Sequence, residues 1–222
     1  MKSSFEKTYS NKGNPDLVGL VPSRQSRILD IGCGVGDNAR MLVEEGHIVD
    51  GITISENEAV LARTIMRSVY VYDLETGLPK DLADGAYDVV LMSHVLEHIC
   101  YPAALFQDVK RILCSDSMLI VGLPNIMHYK SRIQLMLGNF EYQEVGIWDF
   151  THFRWYTVAS AQKLLKDNGF SIIMCDVTGE MPFSSLFKHF LSRNLRNKIF
   201  KLLRRISKGF FGYQIVIVGK LK

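Results

Sequence analysis

Three glycines at alternate positions, in Leu29-Asp30-Ile31-Gly32-Cys33-Gly34-Val35-Gly36-Asp37, follow an apolar run and precede a helical pattern. Glycine there lets the backbone turn tightly and approach a ligand closely, at the carboxyl edge of a first strand where open α/β sheets bind nucleotides. The spacing is GxGxG where a dinucleotide loop reads GxGxxG, and Asp30 stands just ahead of it. A carboxylate is a poor neighbour for pyrophosphate and a good one for a cationic ligand. Further along, His94, Glu97 and His98 have the spacing i, i+3, i+4, so one helical turn would put them on a shared face able to ligate a divalent cation. Histidine in the first place shifts that preference away from magnesium, and we expect no metal requirement. The run Trp148-Asp149-Phe150-Thr151-His152-Phe153-Arg154-Trp155-Tyr156-Thr157 holds both tryptophans, a histidine and an arginine. Such a cluster suits a sugar or other polyhydroxylated ring, with aromatic faces on its apolar side and Asp149, His152 and Arg154 toward hydroxyl or phosphate groups. The competing reading is that Trp148, Phe153 and Trp155 close the core while His152 caps a helix.

The elements that must position these residues alternate. Segments rich in Ile, Val and Leu predict strands at 27–31, 48–52, 68–72, 87–92, 118–122, 171–176 and 213–219. Helical patterns lie between them at 38–45, 56–66, 101–113 and 158–167, the last with Thr157 as N-cap and Asn168-Gly169 as stop. That alternation predicts an α/β fold with a doubly wound, mostly parallel sheet and helices on both faces. Two stretches depart from it: 124–156, rich in aromatics and His, and 181–212, rich in bases. Insertions of this kind usually hold specificity.

With those residues in order, the chain from about 27 to 177 resembles the class I S-adenosylmethionine-dependent methyltransferases. The resemblance implies a Rossmann-like seven-stranded sheet whose last strand is antiparallel. It also implies that Asp30, Gly32, Gly34 and Gly36 wrap the methionine part of the cofactor. The family's ribose-binding acid at the end of strand two is replaced by Thr53 in Gly51-Ile52-Thr53-Ile54-Ser55. A similar GxTxS occurs in the cyclopropane fatty acid synthase branch, where a polar residue five positions on assists, here Glu58. Asp50 competes for the role but precedes the strand end. In Tyr72-Asp73-Leu74-Glu75 the family's pattern gives Asp73 the adenine amine and Leu74 backbone contacts. Tyr87 to His98 is similar to strand four and its loop, which implies Ser93 and His94 at the boundary of cofactor and acceptor. The segment from Asp149 to Thr157 resembles one found in methyltransferases of polysaccharide, lipid and quinone biosynthesis. A Glu-x-x-Glu-His relative of the His94, Glu97, His98 set supplies metal ligands in some RNA 3′-end and quinone-ring enzymes.

Methyl transfer is an in-line displacement in which positioning does most of the work, and an alcohol acceptor also needs a base. Of the histidines, His94, His98, His128 and His152 fall where the family places its acceptor, and His152 and His94 are the expected catalytic pair.

Composition sets limits. Over 222 residues, 47% hydrophobic and 22% charged is ordinary globular chemistry, which excludes a disordered chain or a fibre. No apolar run approaches the ~18 residues of a membrane span, and Met1–Lys7 lacks a signal-peptide core. Cys33, Cys100, Cys114 and Cys175 form no CxxC pair and read as reduced thiols. Charge is uneven: after Glu180 there are ten Lys or Arg and no acid. In 183–209, Phe187, Leu191, Leu195, Ile199, Leu202 and Ile206 fall on one helical stripe among eight bases, with Lys188 and Phe200 violating it. That is the pattern of an interfacial helix, or of a helix packed on the sheet with a solvated polar face.

The expectation is therefore a single domain over 1–222, with an acceptor-site insertion at 124–156 and a basic amphipathic insertion at 181–212. It acts as an O-methyltransferase of a sugar or lipid-linked intermediate, cytoplasmic and peripheral at the inner membrane face. RNA or protein methylation, and a silent cofactor-binding or partner-binding regulator, are the alternatives.

Overall fold

The computed structural model describes residues 12–222, so Met1–Lys7, read above for a leader, lies outside the described residues. The apolar segments form β1 (Arg27–Ile31), β2 (Ile48–Thr53), β3 (Ser68–Val71), β4 (Tyr87–Ser93), β5 (Leu113–Pro124), β6 (Phe170–Thr178) and β7 (Gln214–Leu221). They make one sheet in the order β3-β2-β1-β4-β5-β7-β6. The pairs from β3 to β5 are parallel, and β7 runs against both β5 and β6, as the resemblance implies.

Side chains alternate across a strand, so each face of this sheet has its own core. Leu29 and Ile31 of β1 and Val90 and Met92 of β4 join one cluster with residues of α4 (Ala103–Ile112) and α6 (Val158–Asp167). Ile28, Val89 and Leu91 face the other way, toward α1 (Pro15–Val18), α2 (Asp37–Glu44) and α3 (Glu56–Ala62). Phe106 and Phe170, fully buried with ring centroids 6.0 Å apart, lock α4 to β6, each contributing about 1.5–3 kcal/mol. Thr157 caps α6 in a reciprocal box with Ser160, and Gly169 leaves the helix at φ +89°.

Some boundaries differ from the pattern. β5 begins at Leu113, five residues early, because α4 runs straight into it through polar Cys114-Ser115-Asp116-Ser117, where Asp116 turns at φ +62°. The predicted helix at 56–66 ends at Ala62, and 101–113 shrinks to α4 behind Pro102. Between β5 and α6 lies α5 (Tyr129–Met136). The basic segment is three helices, α7 (Ser184–Phe187), α8 (Arg193–Ile206) and α9 (Lys208–Phe211), because Ser192 and Ser207 accept backbone N–H bonds as N-caps and interrupt it. No helix among the described residues is long and apolar enough to cross a membrane.

Candidate active site at the carboxyl edge of the sheet

β1 delivers the glycine loop to the edge of the sheet, where the N–H groups of Gly32 and Cys33 bond Ile52 O at 2.8 and 2.9 Å. Gly32, Gly34 and Gly36 all have positive φ, at 72°, 53° and 90°, a region costly for side-chain-bearing residues. A Cβ on Gly32 would lie 2.5 Å from Val95 Cγ2. Under the loop Asp30 is completely buried, and among the described residues neither carboxylate oxygen has a partner at bonding distance. Burial lifts its pKa to about 7, with the nearby Asn38 amide offsetting part of the rise. A buried carboxylate without a partner is under-satisfied until a donor arrives, so the loop fits a ligand carrying positive charge.

At the end of β2 Thr53 Oγ1 donates to Glu58 Oε2 at 2.5 Å, and Ser55 caps α3 by accepting the Glu58 N–H. Both Thr53 and Glu58 are buried, which brings the predicted pair together. Asp50 is engaged elsewhere: it pairs with Arg67, whose Nε donates at 2.9 Å, and accepts from Tyr87 Oη at 2.9 Å. Asp73 is exposed after β3, and its Oδ1 takes the Glu75 N–H at 3.0 Å, capping the turn Leu74–Thr76. Leu74 packs on the core. Glu75 then accepts from Cys100 N at 2.5 Å while Arg154 donates twice to Cys100 O, at 2.9 and 2.6 Å. This clamp joins the Asp73 turn to the segment around His152.

Past β4, His94 is held at φ +57°. Its Nδ1 lies 3.1 Å from Glu97 Oε1 and its Nε2 2.6 Å from Gln214 Oε1. Gln214 Oε1 also accepts from Asn14 Nδ2 at 2.6 Å, and the same Asn14 amide donates to Ser93 Oγ at 3.3 Å. Both ring nitrogens thus face an acceptor oxygen. Burial works to lower its pKa, but the Glu97 bond and charge, aided by Gln214, outweigh it and raise the value. His94, expected in the catalytic pair, thus stands between Glu97 and Gln214 next to Ser93.

Glu97 is fully buried, and its Oε2 has no partner among the described residues. Burial would raise its pKa, yet His94 and His98 hold it below the usual range. The chain from 151 to 156 is fastened to this turn, since Phe153 and Arg154 donate their N–H groups to Glu97 O and Tyr156 Oη donates to Leu96 O. His152 is thereby set against His98, ring centroids 4.7 Å apart, and Glu97, His98 and His152 each offer one ligand atom within 4.8 Å of the others. The set with metal-ligand geometry is thus this one, and not His94, Glu97 and His98. His152 Nδ1 faces Ile147 O at 3.1 Å and His98 Nδ1 faces Thr151 O at 3.2 Å. A carbonyl can only accept, so in both rings the proton is on Nδ1. Burial lowers the His98 pKa.

Two expected substrate contacts also hold the loop together. Asp149 Oδ1 accepts from Thr151 N and Oγ1 at 2.9 and 2.7 Å, and Arg154 belongs to the Cys100 clamp, so both organise the loop. Trp148 is buried and donates to Gln134 at 2.8 Å, within a cluster that includes Phe140, Tyr142 and Trp155. His128 is buried against Tyr129 and Tyr213, and burial, with Lys130, lowers its pKa to about 4. Sequence reasoning missed Asn14, Glu75, Cys100 and Gln214, since no local pattern marks them.

A family described as a methyltransferase domain matches residues 9–174. Among curated relatives, an ubiquinone biosynthesis O-methyltransferase of Neisseria meningitidis is 29% identical over 132 residues, covering 57% of this chain and 52% of that one. An ajmaline N-methyltransferase of Rauvolfia serpentina is 27% identical over 107 residues, covering 45% and 37%. The chain thus spans about half or less of the length of these relatives. A solved SAM-dependent methyltransferase from Archaeoglobus fulgidus shares the fold, with TM-score 0.65 and 22% identity over 89% of this chain and 87% of that one.

Proposed function

The chain belongs to the methyltransferase-domain family, and from that membership we propose that it transfers a methyl group from S-adenosylmethionine to an oxygen of a sugar or lipid-linked intermediate, with residues 1–222 as one catalytic unit. The observation that carries the cofactor is Asp30, a buried carboxylate with no partner at bonding distance among the described residues, beneath three left-handed glycines. When bound, the cofactor supplies an activated methyl group and the positive charge that such a site lacks. Gly32, Gly34 and Gly36 keep the loop open to close approach. Glu58, with Thr53, serves the ribose hydroxyls, Asp73 offers its second oxygen to the adenine amine beside the Leu74 backbone, and Ser93 stands at the acceptor boundary.

His152 is the base. Its Nδ1 proton is committed to Ile147 O, which leaves Nε2 to take the acceptor's proton as the new bond forms, a contribution of about 10²–10⁴ in rate. The choice of oxygen rests on this base, since the two relatives above are named for O- and N-methylation. The acceptor is met in the cytoplasm at the inner membrane face. A calorimetric titration with S-adenosylmethionine tests the cofactor: wild type binds, and Gly34→Val and Asp73→Ala weaken binding. Unchanged binding by both folded variants would remove the loop from the site. Labelled cofactor offered with lipid, glycan and RNA fractions identifies the acceptor class.

The Glu97, His98 and His152 set favours a second reading, in which these side chains hold a divalent cation of the kind imidazole prefers. The carbonyls behind both histidines orient them as metal-binding histidines are oriented. Loss of activity on chelation, restored by manganese or zinc, would select this reading over His152 as a base.

A further inference from the structure

The amphipathic pattern at 183–209 turns out to face outward. Phe200, which violates the stripe, is the buried residue of α8. Beside it Arg204 donates to Val177 O at 3.1 Å and pairs with Asp176 at 2.8 Å, and Lys208 donates to Cys175 O at 2.6 Å. At about 100° per residue, Leu195, Leu202 and Ile206 stand roughly 200–240° round the helix from Phe200. All three are exposed, at 44%, 60% and 71%. The stripe is therefore not the side that packs on the sheet. Phe183, Leu186, Phe187 and Phe190, on and beside α7, are exposed as well. Lys198, Lys201 and Arg205 are exposed alongside it and enter none of the ion pairs found among the described residues.

We propose that the outward face of α7 and α8 docks on an anionic lipid bilayer, a reading that rests on the proposed function for its acceptor and on this surface alone for the docking. Exposed apolar patches of this extent mark interaction sites. Leu, Ile and Phe enter the acyl boundary while neighbouring Lys and Arg meet lipid phosphates, as in interfacial helices. A second copy fits poorly: pairing the face with itself would oppose two basic rows with no acid in 181–222 on either side. RNA would satisfy the bases and leave the aliphatic stripe in water.

The test is co-sedimentation of the full chain with phosphatidylcholine vesicles, with and without phosphatidylglycerol, at low and high salt. Wild type should bind only the phosphatidylglycerol vesicles and be released by salt. Lys198→Gln, Lys201→Gln and Arg205→Gln together should weaken binding about a hundredfold. Leu195→Gln, Leu202→Gln and Ile206→Gln together, all exposed and so compatible with folding, should weaken it at least about tenfold. Circular dichroism and cofactor titration check the variants. Indifference of wild type to anionic vesicles at low salt, or variants that bind unchanged, overturns the proposal. So does filter retention of RNA in place of vesicle binding, or a dimer that the aliphatic variant dissolves. Vesicle binding without cofactor binding keeps the docking surface and sinks the proposed function, and cofactor binding without vesicle binding does the reverse.

Discussion

Asp30, under the glycine loop, and Glu97, in the turn after β4, are both fully buried carboxylates at the same edge of the sheet. Burial lifts the first to a pKa of about 7, whereas around the second the histidines win and hold it low. The difference lies in the partners. Glu97 has His94 at 3.1 Å, itself braced by Gln214 and Asn14. Asp30 has only the nearby Asn38 amide to offset its burial, and its oxygens have no partner at bonding distance among the described residues. In one region the fold itself supplies the charge that the carboxylate faces, with Oε2 of Glu97 left over. The other waits for a ligand, which is the expected state of a cofactor loop.

The largest effect should come from breaking the histidine-paired region. Glu97→Gln takes the carboxylate from His94, whose side chain is 38% exposed, and should cost about 3 kcal/mol in denaturant unfolding, the low end for a buried pair because solvent screens the histidine. A loss under ~1 kcal/mol would mean that the pair is solvated after all. Next, His152→Ala should lower turnover by about 100-fold or more, with cofactor affinity within a few-fold, because a base acts on the acceptor. Equal losses in both would place His152 at the cofactor.

Asp30→Asn should do the opposite of Glu97→Gln and stabilise the unliganded protein by about 2 kcal/mol at pH 8, while weakening cofactor binding. The sign follows from linkage. A carboxyl raised from 3.8 to about 7 keeps its proton in the folded state while the unfolded chain loses it. Wild-type stability from this group therefore falls as pH rises between those values and levels off above the higher one. The advantage of Asn should vanish near the lower value, and chemical denaturation across that window reads it. A difference independent of pH would place Asp30 in solvent. The smallest effect is Asp73→Ala, about tenfold in cofactor affinity, since this carboxylate is exposed and half committed to its own turn. An unfolding loss larger than the affinity loss would make capping its main role.

The strand alternation and the glycine loop were legible in the sequence, because each depends on neighbours within a few residues, and the mostly parallel sheet followed from the alternation of strands and helices. Sterics restrict φ locally, and the pleat sorts side chains by position alone. So were the Thr157 cap and the meeting of Thr53 with Glu58, five residues apart. What lay beyond reach was every contact that requires the chain to return from a distance. Gln214 reaches His94 across 120 residues, and Arg154 reaches Cys100 across 54. The same folding back puts His152 beside His98 and sets His94 between Glu97 and Gln214. Periodicity likewise found a stripe in α8 without saying which side faces the sheet; packing of Phe200 and the pairing of Arg204 with Asp176 decided that. A side chain's type and local geometry are written near it, but its protonation and exposure depend on which distant groups the fold brings against it.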